Sequence, residues 1–549
     1  MSDRYEKQSE AGQVSEVLKN LEARISRIEQ HLNLEPVEFK ETAEAVVTQR
    51  AAETTDTLEF QIGHYWFAKV GIVALIIGIV FLLLQPYSTL FPAFAPILGY
   101  ILAGTVALFS RYMRKSFPFL SGYLLGSGLV LLYFATLRLH YFSEQPALAD
   151  RAPEIILLLI VVIINLIISS RRKSVYMTAL SLTMGYAAAL MSEWTYSFFI
   201  IVTVMTLLTI YIELKYKWHH LLTYGIVLTY FTYILWFINN PLVGNPLALR
   251  ASSFGTALFV LLWALIFAAG NFIRGKDQTE DSTVIISSLL NGLGAYTLYL
   301  LTTLTESQEH LAVSHLVASS VFLILAIAFW LREKSRYQTF FYAMIGYAAL
   351  SVAIIAQFKT PYSFVWLCWQ SLLVVSTSVW FRSKFIVVTN FIIYAIIFIA
   401  YLVLAGTVSA TSLSFGVVAL VSARILNWQR HRLELRTELM RNAYLIAAFF
   451  IFPYALYYIV PSDYISLSWI AVAILYYVLS LILKSIKYRW MALSTFLLTA
   501  LYLLIIGITK LEPVYRIVSF LILGIALLII SFIYARTRIK TSSKDESTH

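Results

Sequence analysis

Cysteine is almost missing from this sequence, which has one, Cys368, in 549 residues. A single thiol forms neither an internal disulfide nor a thiolate cluster around a metal, so both are excluded within one chain. Phosphate-binding loops, dinucleotide fingerprints and the HExxH and GxSxG motifs are also missing, which removes support for ATPases, redox enzymes and zinc or serine hydrolases. The sequence establishes no reaction; it favours a protein that is not an enzyme and holds no cofactor or metal.

Charge is scarce too, since 13% of the residues are charged while 59% are hydrophobic and the mean hydropathy is +0.76. About eighteen apolar runs of roughly 20 residues lie between positions 65 and 535, and each is long enough to cross a bilayer as a helix. The sequence therefore predicts an all-α integral membrane protein with about 18 transmembrane helices.

The basic residues alternate between the two sides of that predicted bundle. Lys and Arg total 41, of which 23 lie at the even-numbered junctions between runs and six at the odd-numbered ones. Because basic residues are retained on the cytoplasmic side, this pattern places both termini in the cytoplasm. The net charge of +11 belongs to helix ends and not to one continuous face, so we expect membrane lipids as partners and no nucleic acid.

The first 64 residues are polar and lack the features of a secretory signal, so we expect them to be retained. Apolar residues spaced alternately by four and three form a seam from Val14 to Leu32, namely Val14, Leu18, Leu21, Ile25, Ile28 and Leu32. This spacing predicts a coiled coil over 1–35 that assembles copies of the chain or recruits a cytoplasmic partner. The alternative is a lone amphipathic helix on the membrane. Pro36 ends the helix, and 36–64 reads as a linker.

An internal similarity suggests duplication. Residues 173–188 and 334–349 share eight of sixteen positions at an offset of 161, including Lys-Ser-x-Tyr-x-Thr and Gly-Tyr-Ala-Ala. We interpret this as a parallel six-span repeat, with a shared preference for basic-Ser-aromatic helix starts as the alternative. The predicted organisation is three spans over 65–152, repeats over 153–310 and 311–460, three spans over 461–535 and a cytoplasmic tail over 536–549.

Polar side chains within the apolar runs are the weak candidates for binding: Lys69, Asn165, Asn291, Gln370 and Asn390. The alternative for Lys69 is snorkelling to the headgroups, and for the amides it is hydrogen bonding between helices. No Asp or Glu lies near mid-span, which weakens proton-coupled or sodium-coupled transport.

The longest outer loop, 138–152, adds two further weak candidates, Arg138 and His140. It is the one outer segment with several titratable groups close in sequence. The alternative is an interfacial loop with solvated charges, since its spacing matches neither a metal site nor an acid/base pair.

Several segments resemble a known family: Ile62–Ile72, Gly78–Leu83, Gly126–Tyr141 and Arg516–Phe520. They are similar to a large family of bacterial predicted membrane proteins known only as a domain of unknown function. The resemblance implies an N-terminal coiled coil, a linker, many paired spans and residence in the bacterial cytoplasmic membrane. It implies no activity.

Two functions from different classes follow as hypotheses. The protein moves or presents a lipid or other amphipathic molecule, or it is a non-catalytic membrane scaffold that acts through the coiled coil. The short outer loops disfavour a membrane-bound glycosyl or acyl transferase.

Overall fold

The structure, a computed structural model, describes most of the chain from residue 67 onward. It covers residues 67–85, 91–142, 146–192, 194–241, 244–250, 254–273, 282–306, 308–333, 335–381, 384–404, 408–428, 437–507 and 511–546. The predicted coiled coil over 1–35 and the linker over 36–64 lie outside these residues.

Helices account for nearly all of the described residues, which contain no β-strand. The α-helices are α1 (Phe67–Leu84), α2 (Phe94–Met113), α3 (Pro118–Leu137), α4 (Arg151–Arg171), α5 (Val175–Leu190), α6 (Thr195–Tyr216), α7 (His219–Phe237), α8 (Phe254–Ile273), α9 (Ser282–Glu306), α10 (Leu311–Glu333), α11 (Arg336–Gln357), α12 (Tyr362–Trp380), α13 (Lys384–Leu404), α14 (Leu413–Trp428), α15 (Thr437–Ile459), α16 (Ile465–Ile482), α17 (Ile486–Tyr502) and α18 (Pro513–Glu546).

Sixteen segments of the described chain are long and apolar enough to cross a membrane. Two shorter apolar helices, Lys69–Leu84 and Val175–Leu190, belong to α1 and α5. The prediction of an all-helical, multi-pass membrane protein is therefore confirmed. Eighteen crossings require both shorter helices to span as well, so that number stays a prediction, as do the sides on which the termini lie.

The chain divides into two compact units, and the first, ending at Ala147, contains α1, α2 and α3 packed against one another. Near one end of the α2–α3 pair, Ser110 Oγ donates to the Ser121 carbonyl at 2.7 Å and Ser121 Oγ donates to the Ser110 carbonyl at 2.8 Å. Reciprocal bonds of this kind satisfy hydroxyls where lipid offers no partner.

The second unit, from Leu148 onward, is a succession of helical hairpins that follow the chain order. Each helix from α4 to α16 with an even number packs against the helix that follows it. In addition, the odd-numbered helices α5, α7, α9, α11, α13, α15 and α17 contact one another in sequence as one row. Hydrogen bonds between members of this row are the main polar feature of the unit.

Helices on the two sides of residue 310, the predicted boundary between the repeats, pack against each other as neighbouring hairpins do elsewhere in the unit. Helix α9 contacts α11, and α8 contacts α10. The six-span repeat is neither supported nor opposed by these contacts, because a row of hairpins also repeats every two helices. It stays a prediction.

The last helix extends further than the sequence pattern indicates. We predicted a span ending at 535 followed by a tail, whereas α18 continues to Glu546. Its apolar part, Pro513–Ile530, is the segment that fits a membrane crossing.

Candidate functional site

The three predicted candidates of the first unit lie at the ends of its helices. Lys69, one turn into α1, places its Nζ 5.8 Å and 5.7 Å from the ring centroids of Phe119 and Tyr123 on α3. Both distances are within the range of a cation–π contact. The ammonium is thus held beside aromatic rings at the start of the helix, where snorkelling is also possible for its stem.

Arg138, directly after α3, is 5% exposed, so its guanidinium is not a solvated loop charge. Its Nε donates to the Leu83 carbonyl at the end of α1 at 2.9 Å. The last carbonyls of a helix have no partner within the helix, and a guanidinium satisfies them well. Arg138 therefore joins α1 to α3.

His140 is half-buried and packs edge-on against Tyr141, with ring centroids 5.1 Å apart.

Asn165 is buried in α4, where its Nδ2 lies 3.5 Å from the Met184 sulfur on α5. This contact joins the two helices of one hairpin. The structure does not bring Asn165 together with the other predicted amides.

Asn291 is fully buried in α9 and connects three neighbouring helices. Its Nδ2 donates to the Ala264 carbonyl on α8 at 2.9 Å and to Tyr342 Oη on α11 at 3.2 Å. Tyr230 Oη on α7 donates to Asn291 Oδ1 at 2.7 Å. Four helices thus meet at one side-chain amide.

A second polar group lies about one helical turn away on α9. Asn271 Nδ2 on α8 donates to Ser287 Oγ at 3.2 Å and Ser288 Oγ at 3.1 Å. Gln338 Nε2 on α11 donates to the same Ser288 Oγ at 3.2 Å. The interior of α8, α9 and α11 is therefore bonded by neutral groups.

Gln370 and Asn390 are the two predicted residues that the structure brings together, because both line one cavity of about 90 Å³ between α11, α12 and α13. Gln370 Nε2 donates to the Tyr347 carbonyl at 2.8 Å, and Ser351 Oγ donates to Gln370 Oε1 at 3.1 Å. A cavity of this size has room for water.

Asn390 also bonds across to the next odd helix. Its Nδ2 donates to Ser371 Oγ on α12 at 2.8 Å and to Tyr444 Oη on α15 at 3.1 Å. The pair Asn390–Tyr444 repeats, two hairpins later, the arrangement of Asn291 with Tyr342. Each of these amides has several protein partners, so hydrogen bonding between helices accounts for its burial.

A groove along one side of α15 and α17 has ligand-like dimensions. One part, about 370 Å³, lies between Ile446, Phe449 and Phe450 of α15 and Trp490, Met491 and Ser494 of α17. The other part, about 300 Å³, continues past the same two phenylalanines to Pro453, Tyr457 and Leu498. Volumes above about 300 Å³ are typical of small-molecule sites.

The walls of this groove, which we call the α15–α17 groove, are apolar and face outward. Trp490, Phe450 and Ile446 are 66%, 65% and 57% exposed. In a membrane-spanning helix such surfaces face lipid. Pro453 lies halfway along, and because proline has no N–H it gives no hydrogen bond to the Phe449 carbonyl. Trp469 on α16 also lines the groove, and its Nε1 donates to the Pro453 carbonyl at 3.1 Å.

One end of the groove is basic. Lys487 lines it, and its Nζ donates to Asn442 Oδ1 at 2.6 Å. Arg441, one residue before Asn442, donates from Nη2 to Ser485 Oγ at 2.9 Å. Both cations are half-buried, so apolar walls and a positive end are combined in one site.

Sequence reasoning missed this site, since Arg441 and Lys487 counted only as junction residues. The signal was present in part: Lys487 starts a helix that also carries Trp490. Asn442 lies 45 positions earlier, however, and only packing of α15 beside α17 brings it to Lys487.

Buried ionisable residues were also missed, and His315 and Glu213 are two of them. His315 in α10 is fully buried, with Nδ1 3.2 Å from Tyr296 Oη and Nε2 3.0 Å from Thr303 Oγ1 on α9. Glu213, near the end of α6, has Oε1 3.1 Å from Nδ1 of His219, which starts α7. His219 therefore contacts a residue of the preceding helix.

In the described part of the chain, no three His, Cys, Asp or Glu side chains lie close enough together to hold a metal ion. Asn271, Asn291, Gln370 and Asn390 each bond to protein groups, and the α15–α17 groove combines apolar walls with a cationic end. Comparison of the chain with protein-family models, with curated proteins and with solved structures finds no match.

Proposed function

We propose that this multi-pass membrane protein holds a lipid or similar amphipathic molecule in the α15–α17 groove, in order to present it or move it. The observation that carries the proposal is the groove itself, whose apolar walls end at Lys487 and Asn442. An amphipathic molecule has the same division between an apolar body and a polar end.

The length of the groove supports this occupant. Lining residues on α15 run from Asn442 to Tyr457, which is about 22 Å along a helix. Half of the hydrocarbon core of a bilayer is about 15 Å thick. An acyl chain rooted at the basic end therefore lies against protein along its whole depth in one leaflet.

Passage of a polar solute through the interior has less support. The cavity that contains Gln370 and Asn390 is about 90 Å³, and both amides already bond to protein groups. A conducting path for polar solutes needs polar groups that water or the solute can reach. The groove at the lipid-facing side is the better candidate.

The location is part of the proposal. We place the protein in the bacterial cytoplasmic membrane with both termini in the cytoplasm, on the resemblance and on the alternation of basic residues. The basic end of the groove then lies at the cytoplasmic leaflet, since Lys487 and Arg441 belong to even-numbered junctions.

A membrane scaffold is the second candidate function, favoured by the apolar seam from Val14 to Leu32. Deletion of residues 1–35 should then reduce the size of the detergent-solubilised complex or release a co-purifying protein. An unchanged mass and unchanged partners, measured by light scattering and mass spectrometry, would exclude this role.

The lipid proposal is tested by lipid profiling of a deletion strain complemented with groove variants. Ser494→Trp places a large side chain in the groove, whereas Leu493→Trp adds a similar group at an exposed neighbouring position outside it. We expect wild type and Leu493→Trp to restore the lipid composition, and Ser494→Trp at equal abundance to fail. Normal lipids in the deletion strain, or full restoration by Ser494→Trp, would refute the proposal.

A further inference from the structure

We infer that the molecule in the α15–α17 groove is an anionic phospholipid. In this arrangement Arg441 and Lys487 face the phosphate, and Phe449 and Phe450 lie along an acyl chain. The inference rests on the proposed function, because it names the headgroup class of the lipid that the groove holds.

The charge at the groove end is not cancelled by the hydrogen bonds that hold it. Arg441 bonds to the Ser485 hydroxyl and Lys487 bonds to the Asn442 amide oxygen, and both acceptors are neutral. Glu438, in the first turn of α15, is a carboxylate that acts on Lys487. Among the described groups around Lys487, two cations face one carboxylate, so this part of the site keeps a positive charge that an anionic headgroup neutralises.

These two residues differ from basic residues that serve only to orient helices. Arg171 and Lys173 lie at another even-numbered junction and are exposed, and Lys484, at the same junction as Lys487, is exposed as well. Arg441 and Lys487 are half-buried, and each makes a side-chain hydrogen bond. Lys487 lines the groove, and Arg441 bonds to Ser485, two residues before Lys487. Two prepositioned cations lose little freedom when a phosphate binds, which favours affinity.

The expected selectivity follows from the charge count. A basic residue near an anionic membrane surface contributes about 1 kcal/mol, the equivalent of roughly fivefold in affinity. Zwitterionic phosphatidylcholine carries a phosphate too, but its choline cancels the net attraction. Phosphatidylglycerol should therefore be preferred over phosphatidylcholine, and each basic residue removed should lower that preference roughly fivefold.

Trp490 provides the measurement, since it lines the groove and is largely exposed. The full-length protein is reconstituted in vesicles containing brominated phosphatidylglycerol or brominated phosphatidylcholine at equal mole fraction. The fluorescence of Trp490 is obtained as the difference between wild type and Trp490→Phe, and its quenching by each bromolipid is compared. The test variant is Arg441→Gln with Lys487→Gln, and the control with the same charge change is Arg171→Gln with Lys173→Gln.

We expect stronger quenching of Trp490 by the anionic lipid, loss of that excess in the test variant, and its retention in the control and in Lys487→Arg. Equal quenching by both lipids in the wild type overturns the headgroup inference while leaving an occupied groove. Retention of the full preference in the test variant overturns it as well. Absence of quenching by either lipid means that no lipid enters the groove, and then the proposed function fails too.

Discussion

Each of two buried asparagines is placed opposite a tyrosine of the next odd-numbered helix. Asn291 on α9 meets Tyr342 on α11, and Asn390 on α13 meets Tyr444 on α15. An amide facing hydrocarbon is costly unless it is hydrogen-bonded, so each pair also fixes the rotation of its helices. Hydrogen bonds of this kind in membranes are worth about 0.6 kcal/mol on average and up to about 1.7.

Replacing Asn390 tests whether this amide mainly joins helices. Asn390→Leu removes donors to Ser371 and Tyr444 and should lower the free energy of unfolding by about 1–2 kcal/mol. Tyr444→Phe alone should cost less, and the double variant should cost less than the sum of the two single changes. The free energy of unfolding is measured in detergent for the wild type, the two single variants and the double variant. Strict additivity would show that the Asn390–Tyr444 bond contributes nothing.

Residue types could be predicted at these positions, but their partners could not. An Asn within an apolar run is conspicuous, so Asn291, Gln370 and Asn390 were found from the sequence. Gln370 and Asn390 share a cavity, however, only because α11, α12 and α13 pack together. Arg138 bonds to a carbonyl 55 positions earlier. No local pattern encodes such distances.

At the scale of elements, the apolar runs located the helices closely. Two of the eighteen apolar runs, at 174–191 and 361–381, correspond to α5, Val175–Leu190, and α12, Tyr362–Trp380. Helices that are apolar on all sides do not show in their sequence which side packs against protein and which faces lipid. The row of odd-numbered helices and the α15–α17 groove were for this reason unpredictable.

The Lys-Ser pair that opens residues 173–188 also has a local role, which it shares with Lys484-Ser485. Lys173 and Lys484 adopt left-handed backbone conformations, with φ of 53° and 45°. The following residues, Ser174 and Ser485, donate from N–H to the Ser169 and Ser480 carbonyls at 3.2 Å. This bond, to the carbonyl five residues earlier, is part of a Schellman turn that ends one helix before the next begins. Lys173-Ser174 and Lys484-Ser485 therefore form the same turn, whereas Lys334, which pairs with Lys173 in the proposed repeat, lies outside the described residues.

The closest helix pair in the first unit depends on one glycine. A Cβ on Gly99 of α2 would lie 2.7 Å from the Ala135 Cβ of α3, whereas a Cβ on Gly104 would meet nothing within 4 Å. Small residues allow helix backbones to approach closely in membranes.

Alanine at these two positions should therefore have opposite effects. Gly99→Ala should destabilise the protein by about 1–3 kcal/mol because α2 and α3 must separate. Gly104→Ala, the control on the same helix, should be neutral or stabilising by up to about 1 kcal/mol, since alanine favours helix formation. Thermal unfolding in detergent distinguishes the two. A similar loss for both would show that α2 does not pack on α3 through Gly99.

At the scale of the whole molecule, the topology depends on whether the short helix α5 crosses the membrane. Its 16 residues span about 24 Å, compared with about 30 Å for the hydrocarbon core. Local thinning of the bilayer and snorkelling of flanking residues accommodate such a deficit at modest cost. Lys173 and Trp194 lie just outside the two ends of α5 and are suited to this.

The scarcity of cysteine makes this topology directly measurable. In a Cys368→Ala background, single cysteines replace exposed residues at four junctions, Ser116, His220, Leu247 and Glu309. We expect a membrane-impermeant maleimide to label Leu247→Cys and Glu309→Cys in intact cells with a permeabilised outer envelope. Ser116→Cys and His220→Cys should react only after the cytoplasmic membrane is opened, because their junctions carry the basic excess.

The pattern of labelling separates the alternatives. If α5 does not cross the membrane, Ser116 and His220 lie on opposite sides of it. All junctions that follow α5 then change sides, whereas the junctions that precede α5 keep theirs. The alternation of 23 and six basic residues would then be reversed for all later helices, against the tendency of basic residues to stay in the cytoplasm. We therefore expect Ser116→Cys and His220→Cys to be protected together, which places the basic end of the α15–α17 groove at the cytoplasmic leaflet.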